Sequence, residues 1–147
     1  MKPDIENNNL PVYTIGVAAD LIGVSVHALR MYETAGILSP KRTETQRRLY
    51  SKNDITRLQR VRHFIEEDGL NIAGIKTVLS VIPCWKLKPC SEKDRKKCDA
   101  YYKMGEPCWA VETRGDICTD VDCRDCEVYL NAADYKNIKK LIKQVYE

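Results

Sequence analysis

The sequence predicts a mainly α chain: a winged helix-turn-helix of four helices and a small β-hairpin wing, then a small cysteine-rich, metal-stapled module, then a C-terminal helix. Three observations carry this reading. Apolar residues recur at helical spacing through residues 14–82, and a glycine or proline closes each run. A basic polar loop, residues 41–48, lies between two short apolar pieces. All seven cysteines fall between Cys84 and Cys126, and none precedes them. The predicted units are residues 11–82, 83–130 and 131–147.

Each element has a local cause. Thr14 is placed to cap a helix whose apolar residues Ile15, Ala18, Ala19 and Ile22 fall at i, i+3, i+4 and i+7, with Gly23 to end it. Ser25 caps a second helix, Val26 to Ala35, which turns Val26 and Leu29 inward and stops at Gly36. Two short helices joined by so tight a Gly-containing turn are a helix-turn-helix signature. The pieces Ile37-Leu38 and Leu49-Tyr50 then bracket the basic loop as a hairpin. Ser51 and Asp54 have capping-box spacing at the start of a third helix carrying Ile55, Leu58, Val61 and Ile65 and ended by Gly69. A fourth helix, Asn71 to Ile82, carries Ile72, Ile75, Leu79 and Ile82, and Pro83 closes it. From Asn131 an amphipathic helix places Ile138, Leu141, Ile142 and Val145 on one face and Lys136, Lys139, Lys140 and Lys143 away from it. That face suits either a dimer contact or packing within its own chain.

Charge is divided as unevenly as the thiols. The 147 residues carry 24 Lys and Arg against 21 Asp and Glu, a net of +3. Residues 41–62 alone hold eight basic and two acidic residues, whereas residues 83–130 hold nine and ten. A hydrophobic share of 44% excludes wholesale disorder. No apolar run approaches the roughly 18–20 residues of a membrane span. The polar N-terminus predicts no secretory leader, and therefore a cytoplasmic location.

A basic front half with a helix-turn-helix points to double-stranded DNA, a dense anion read through its major groove. The helix opened by Ser25 presents Ser25, His27 and Arg30 on its outer face, and the wing offers Arg42, Arg47 and Arg48 to phosphates or the minor groove. Several motifs then stand in a recognisable order: Thr14-Ile15-Gly16-Val17-Ala18, Gly23-Val24-Ser25, Leu29-Arg30-Met31-Tyr32-Glu33, Gly36-Ile37-Leu38-Ser39-Pro40 and Arg47-Arg48-Leu49-Tyr50. Together they resemble the DNA-binding domain of MerR-type transcription regulators. The run Glu67-Asp68-Gly69-Leu70-Asn71-Ile72-Ala73-Gly74-Ile75-Lys76 resembles the heat-shock-repressor branch more specifically. The resemblance covers residues 11–82 and implies a homodimer on a pseudo-palindromic operator. It places Arg30 and Tyr32 at phosphate-contacting positions and Arg42, Arg48 and Tyr50 in the wing, with Thr14 opening the first motif as a further DNA contact. It also brings RNA polymerase or a chaperone into view as partners, and no membrane. Two positions depart from the pattern: Met31 stands where many members carry an aromatic, and Gln46 where glycine is common in the wing.

The tail lies outside that resemblance. Pro83-Cys84-Trp85 recurs as Pro107-Cys108-Trp109, and Cys90, Cys98, Cys118, Cys123 and Cys126 make up the remaining thiols. A module of fewer than about 50 residues buries too little apolar surface to hold itself together, so a staple is expected. In a reducing compartment a metal held by thiolates is the leading choice over disulfides. Cys118-x4-Cys123-x2-Cys126 matches the plant-type ferredoxin spacing, with Cys108 or Cys98 as a fourth ligand, and favours an iron–sulfur cluster. Zinc and redox-switching thiols are the alternatives, with zinc less favoured because it prefers two C-x2-C pairs and only Cys123 and Cys126 form one. Trp85 and Trp109 read as core residues.

The combined expectation is a MerR-type regulator whose tail senses redox state or a metal, a pairing with a precedent in the SoxR branch. The rival is a heat-shock-type repressor whose tail is only a zinc-stapled or dimerising module. An enzyme is not expected: there is no Gly-rich phosphate loop, no triad-like set and no histidine after His63.

Overall fold

The computed structural model describes residues 8–39, 41–42, 44–45, 47–119, 122–132 and 138–147, with Lys41, Arg42 and Asn131 as backbone alone. The head runs β1 (Tyr13–Thr14), α1 (Ile15–Ile22), α2 (Val26–Thr34), β2 (Lys41–Arg42), β3 (Arg48–Tyr50), α3 (Lys52–Glu66) and α4 (Ile72–Ser80). The four helices and the hairpin are those the sequence predicts. The expected Gln46 departure in the wing and Lys136 in the last helix lie outside the described residues.

Caps set the helix starts. The Thr14, Ser25 and Asn71 side chains accept from the backbone N–H of Val17, Ala28 and Gly74 respectively. Ser51 and Asp54 complete a reciprocal capping box on α3. Gly23 ends α1 in the left-handed region, at φ 80, with its N–H donating to the Ala19 carbonyl at 2.8 Å. Helix α4 stops at Ser80, two residues short of the predicted end, because Pro83 disfavours helical backbone at the residue before it.

The wing is a three-stranded antiparallel sheet in the order β1-β3-β2. Lys41 and Arg42 pair with Leu49 and Arg48, and Tyr13 and Thr14 pair with Tyr50 and Leu49. The third strand was not expected, since two residues are too few for a period-two pattern to register.

Ala18, Ala19, Ile22, Leu29, Ile37, Leu38, Leu58, Val61, Ile75 and Leu79 fill the core of the head. Three inward placements differ from expectation. In α2 the second buried residue is Tyr32 rather than Val26, which is half-buried. In α3 Phe64 is buried while Ile65 is exposed. The inward face of α3 follows 54, 57, 58, 61 and 64, so it also carries Asp54 and Arg57, whose charge disguised the stripe.

The tail comprises short helices α5 (Cys84–Leu87), α6 (Glu92–Lys96), α7 (Asp99–Tyr102), α8 (Asp116–Thr119) and α9 (Glu127–Asn131), then α10 (Ile138–Tyr146). Two 3-10 turns, Cys108–Ala110 and Cys123–Asp125, interrupt them. Among the described residues, much of the buried apolar surface of the tail is shared with the head. Val128, Ala132 and Ile138 belong to the same apolar cluster as the head, and Trp109, Leu141 and Ile142 pack against it. Helix α10 therefore turns its apolar face into its own chain, and Trp85 Nε1 donates to the Tyr146 hydroxyl at 2.8 Å. Among the described residues no single helix is long and apolar enough to cross a membrane.

A shared core predicts shared stability. Trp109→Ala should lower the urea-unfolding free energy by about 3–5 kcal/mol in one transition seen by both far-UV and tail fluorescence probes. Two separated transitions, with the head's unchanged, would contradict a common core.

Candidate nucleic-acid interface and thiol cavity

The outer face of α2 is open. Ser25, His27, Arg30, Met31 and Thr34 are exposed along it, and Leu29 and Tyr32 point inward. Ser25 uses its hydroxyl to cap the helix, accepting from Ala28 N–H at 3.0 Å, while Thr34 donates back to the Arg30 carbonyl at 2.9 Å. Thr14 likewise caps α1 from an exposed position. Exposed helix N-termini of this kind favour phosphate oxygens.

The wing is tied to α2 by Glu33. Its carboxylate, with only 6% of the side chain exposed, accepts from Arg48 Nε and from the Tyr50 hydroxyl. Arg48 is thereby held in place with part of its guanidinium outward, and Arg47 beside it is exposed. The Arg42 backbone pairs with Arg48 on the hairpin. Two expected surface contacts are corrected here. Tyr50 is wholly buried, and burial with the Glu33 hydrogen bond pushes its phenol far above the usual range. Tyr32 is 8% exposed and burial raises its phenol too. Both support the interface from beneath; their rings are core material. Glu33, quoted in a motif but given no role, is the residue sequence reasoning missed.

All seven cysteines line one cavity. The cavity has a volume of about 50 Å3, enough for a few small groups. Its walls include Trp85, Tyr101, Trp109 and Tyr129, and its charged lining is Lys88, Arg95 and Arg114 against Asp94. Arg114 Nη1 donates to Cys123 Sγ at 2.8 Å. The two Pro-Cys-Trp copies both deliver a thiol to this cavity: the interaction with Cys108 lowers the Cys84 thiol, and the same interaction, with burial, raises Cys108 far above the usual thiol range. Burial also raises Cys90 and Cys118. The seven residues are free cysteines. As they stand, no three His, Cys, Asp or Glu side chains among the described residues are grouped closely enough for one metal ion. Soft donors converging on one cationic, aromatic-walled cavity fit a thiolate-held cluster better than a compact single-ion site, whose sulfurs each lie about 2.3 Å from the metal.

The cavity wall is also the junction with the head. Arg124, inside the Cys123–Cys126 knuckle, places Nη2 3.0 Å from Asp54 Oδ2 and donates from Nη1 to the Ser39 carbonyl at 2.5 Å. Both side chains of this ion pair are buried. Arg57, counted by the sequence among the basic surface, is instead 3% exposed. Its guanidinium lies 3.6 Å from the Tyr129 ring centroid and 5.5 Å from that of Trp109, and Nη2 donates to the Tyr129 carbonyl. Trp109 Nε1 donates to the Gly36 carbonyl at 2.8 Å, and the Tyr129 hydroxyl accepts from Ser39 N–H at 3.0 Å. Gly36 has φ +83, and a Cβ there would stand 2.8 Å from the Ala110 Cβ, so the loop after α2 and the tail meet at a residue that must be small.

Comparison with known proteins bears on the head. The family model described as MerR HTH family regulatory protein matches residues 13–81. Residues 13–81 are a MerR-family helix-turn-helix domain. The chain is 42% identical over 71 residues to a putative heat shock protein HspR of Streptomyces coelicolor, covering 48% of this chain and 47% of that protein. It is 40% identical over 79 residues to the HTH-type transcriptional regulator GlnR of Bacillus anthracis, covering 54% and 59%. It is 33% identical over 94 residues to a mercuric resistance operon regulatory protein of Bacillus cereus, covering 61% of each. The chain thus spans about half the length of the curated relatives it matches. The match to the family model ends at residue 81, before the first cysteine of the cavity.

The Glu33 clasp predicts that Tyr50→Phe costs about 1.5–3 kcal/mol by urea unfolding, the usual worth of a hydrogen bond to a charged group. A cost below about 0.5 kcal/mol would mean that Glu33 does not hold the wing through Tyr50.

Proposed function

We propose that this chain is a sequence-specific DNA-binding transcription regulator of MerR type, acting as a dimer on a pseudo-palindromic operator, whose tail holds an iron–sulfur cluster and reports redox state to the DNA-binding head. The observation that carries the DNA reading is the open face of α2, with Ser25, His27 and Arg30, set beside a basic wing in a MerR-family domain. Arg30 and Arg48 suit phosphate contacts, and Ser25 and His27 suit base edges in the major groove. The similarity to regulators named HspR, GlnR and mercuric resistance regulator supports the same reading.

The sensing reading rests on the position of Arg124. A bound iron–sulfur cluster would supply one-electron chemistry and sensitivity to oxidants. Everything else belongs to the chain. With Cys123 and Cys126 fixed as ligands, the turn between them holds Arg124 on Asp54, the third residue of α3, and on the Ser39 carbonyl in the loop after α2. With those thiols released, the turn is free to withdraw Arg124 from both. Wing and recognition helix then settle into a different relative pose, a shift between two populations rather than a new structure.

A second reading has one observation in its favour: the tail completes the core of the head, as a purely structural, zinc-stapled module would. The two readings part on operator affinity, since a structural staple alters folding without tuning a folded head.

Binding should be salt-dependent, and Arg30→Ala should flatten the slope of log K against log salt by about 0.9, the share of one phosphate. His27→Ala should change the preferred sequence with the slope intact. Equal slopes for parent and Arg30→Ala would remove Arg30 from the interface. For sensing, anaerobic and air-exposed parent should differ in operator affinity, and Arg124→Ala should erase that difference. Equal affinity of the two parent forms, both folded by circular dichroism, would favour the structural reading.

A further inference from the structure

A band of apolar side chains lies uncovered where α4 hands over to the tail. Trp85 and Tyr101 stand edge to face with ring centroids 5.3 Å apart, and Tyr101 meets Tyr102 in the same way at 5.0 Å. The hydrogen bond from Trp85 Nε1 to the Tyr146 hydroxyl joins the end of α10 to the band. The Gly105 N–H donates to Ser80 Oγ at 3.3 Å, which sets the turn carrying Met104 beside the end of α4, where Val81 is exposed. Tyr102 is 62% exposed and Met104 69%, and Tyr101 and Tyr146 are exposed as well. At roughly 150–250 Å2 for a whole aromatic side chain, these exposures leave on the order of 500 Å2 uncovered. That is near the top of the roughly 300–600 Å2 of the largest apolar patch on a typical monomer, a size that marks an interaction site.

We infer that this band, Val81, Tyr101, Tyr102, Met104 and Tyr146 around Trp85, is the surface on which a second copy of the chain docks about a two-fold axis. This rests on the proposed dimer and names the surface through which it forms. Aromatic residues and methionine are the side chains enriched at interface centres. The rim carries both signs of charge: Lys86 and Lys103 stand with Asp99, Glu106 and Glu147. A two-fold interface sets a patch against itself, so a rim of one sign repels its copy while a mixed rim pairs with it. The same balance makes the band a poor surface for nucleic acid, unlike the basic wing. Other apolar faces are spoken for. Helix α10 turns Ile138, Leu141 and Ile142 into its own chain, and the exposed Val17 and Leu21 lie on α1, within the helix-turn-helix that approaches DNA. A standard interface takes about 800 Å2 from each partner, of which the band supplies the greater part and the rim the rest. Docking there leaves the outer face of α2 open, as a dimer on a palindrome requires.

The test is the dimer dissociation constant of the full-length chain, by sedimentation equilibrium without DNA, for the parent and three variants. Tyr102→Asp with Met104→Asp sets like charges against each other across the two-fold and should raise the constant roughly a hundredfold, with the parent's far-UV circular dichroism and urea midpoint kept. Met104→Glu alone, at an exposed turn outside any helix or core, should raise it about tenfold. Leu21→Asp, an equally exposed apolar position on the head, should leave it unchanged. A double variant and a Met104→Glu chain that dimerise as tightly as the parent overturn the surface assignment and leave the dimer standing. A parent that is monomeric both alone and on operator DNA overturns the dimer itself, and this surface with it. Loss of RNA polymerase binding in the double variant, with dimer strength unmoved, gives the band to another protein and also overturns its assignment to a second copy.

Discussion

The architecture depends on burying charge where the head meets the tail. Asp54 is 1% exposed and Arg124 6%, and their pair forms far from water, where separating the partners leaves an uncompensated charge. Asp54 also closes the capping box of α3, so one carboxylate fixes both the start of a helix and the position of the thiol knuckle. Arg57, one turn further on, brings a second buried cation. The faces of Tyr129 and Trp109 and the Tyr129 carbonyl surround it, and its Nε and Nη1 have no hydrogen-bond partner among the described residues. An arginine tolerates such a site better than a lysine, because its planar, weakly hydrated guanidinium stacks on rings. Remove the tail, and both arginine and carboxylate lose their surroundings.

From that junction the rest of the molecule follows. The loop after α2 is gripped at Gly36 by Trp109 and at Ser39 by Tyr129 and Arg124. The wing is gripped from the other side by Glu33, through Arg48 and Tyr50. Arg62 donates from Nη1 to the Ile22 carbonyl at 2.5 Å, fastening the end of α1 to α3. Recognition helix and wing therefore have few independent degrees of freedom, and the tail holds one of the handles. A tail so short and so rich in thiols is poorly suited to hold its shape by burial within itself, and it takes part of its support from the head through Arg57, Asp54, Gly36 and Ser39.

The head was legible in the sequence because its signals are local. Caps, glycine stops and apolar periodicity lie within a turn or two of the helices they define, as at Thr14, Ser25 and the Ser51–Asp54 box. The reading failed where polarity and burial part company. Arg57 carries the charge of a surface residue and sits in the core, and Tyr50, placed in the wing by its motif, is wholly inside. No spacing rule joins Asp54 to Arg124, which are 70 residues apart. In the tail, counting residues between cysteines reads order along the chain, whereas the fold gathers all seven thiols, from Cys84 to Cys126, on one cavity.

The thiol cavity and the DNA-binding head are one mechanical unit joined through Arg124 and Arg57. Hydrogen exchange of the intact chain, before and after its thiols are blocked with a small alkylating agent under native conditions, reports on that coupling residue by residue. Blocking should speed exchange in the tail, in residues 36–39 and in the first two turns of α3, with α1 little changed. Acceleration confined to residues 83–130, with α3 and the loop after α2 as protected as before, would contradict it.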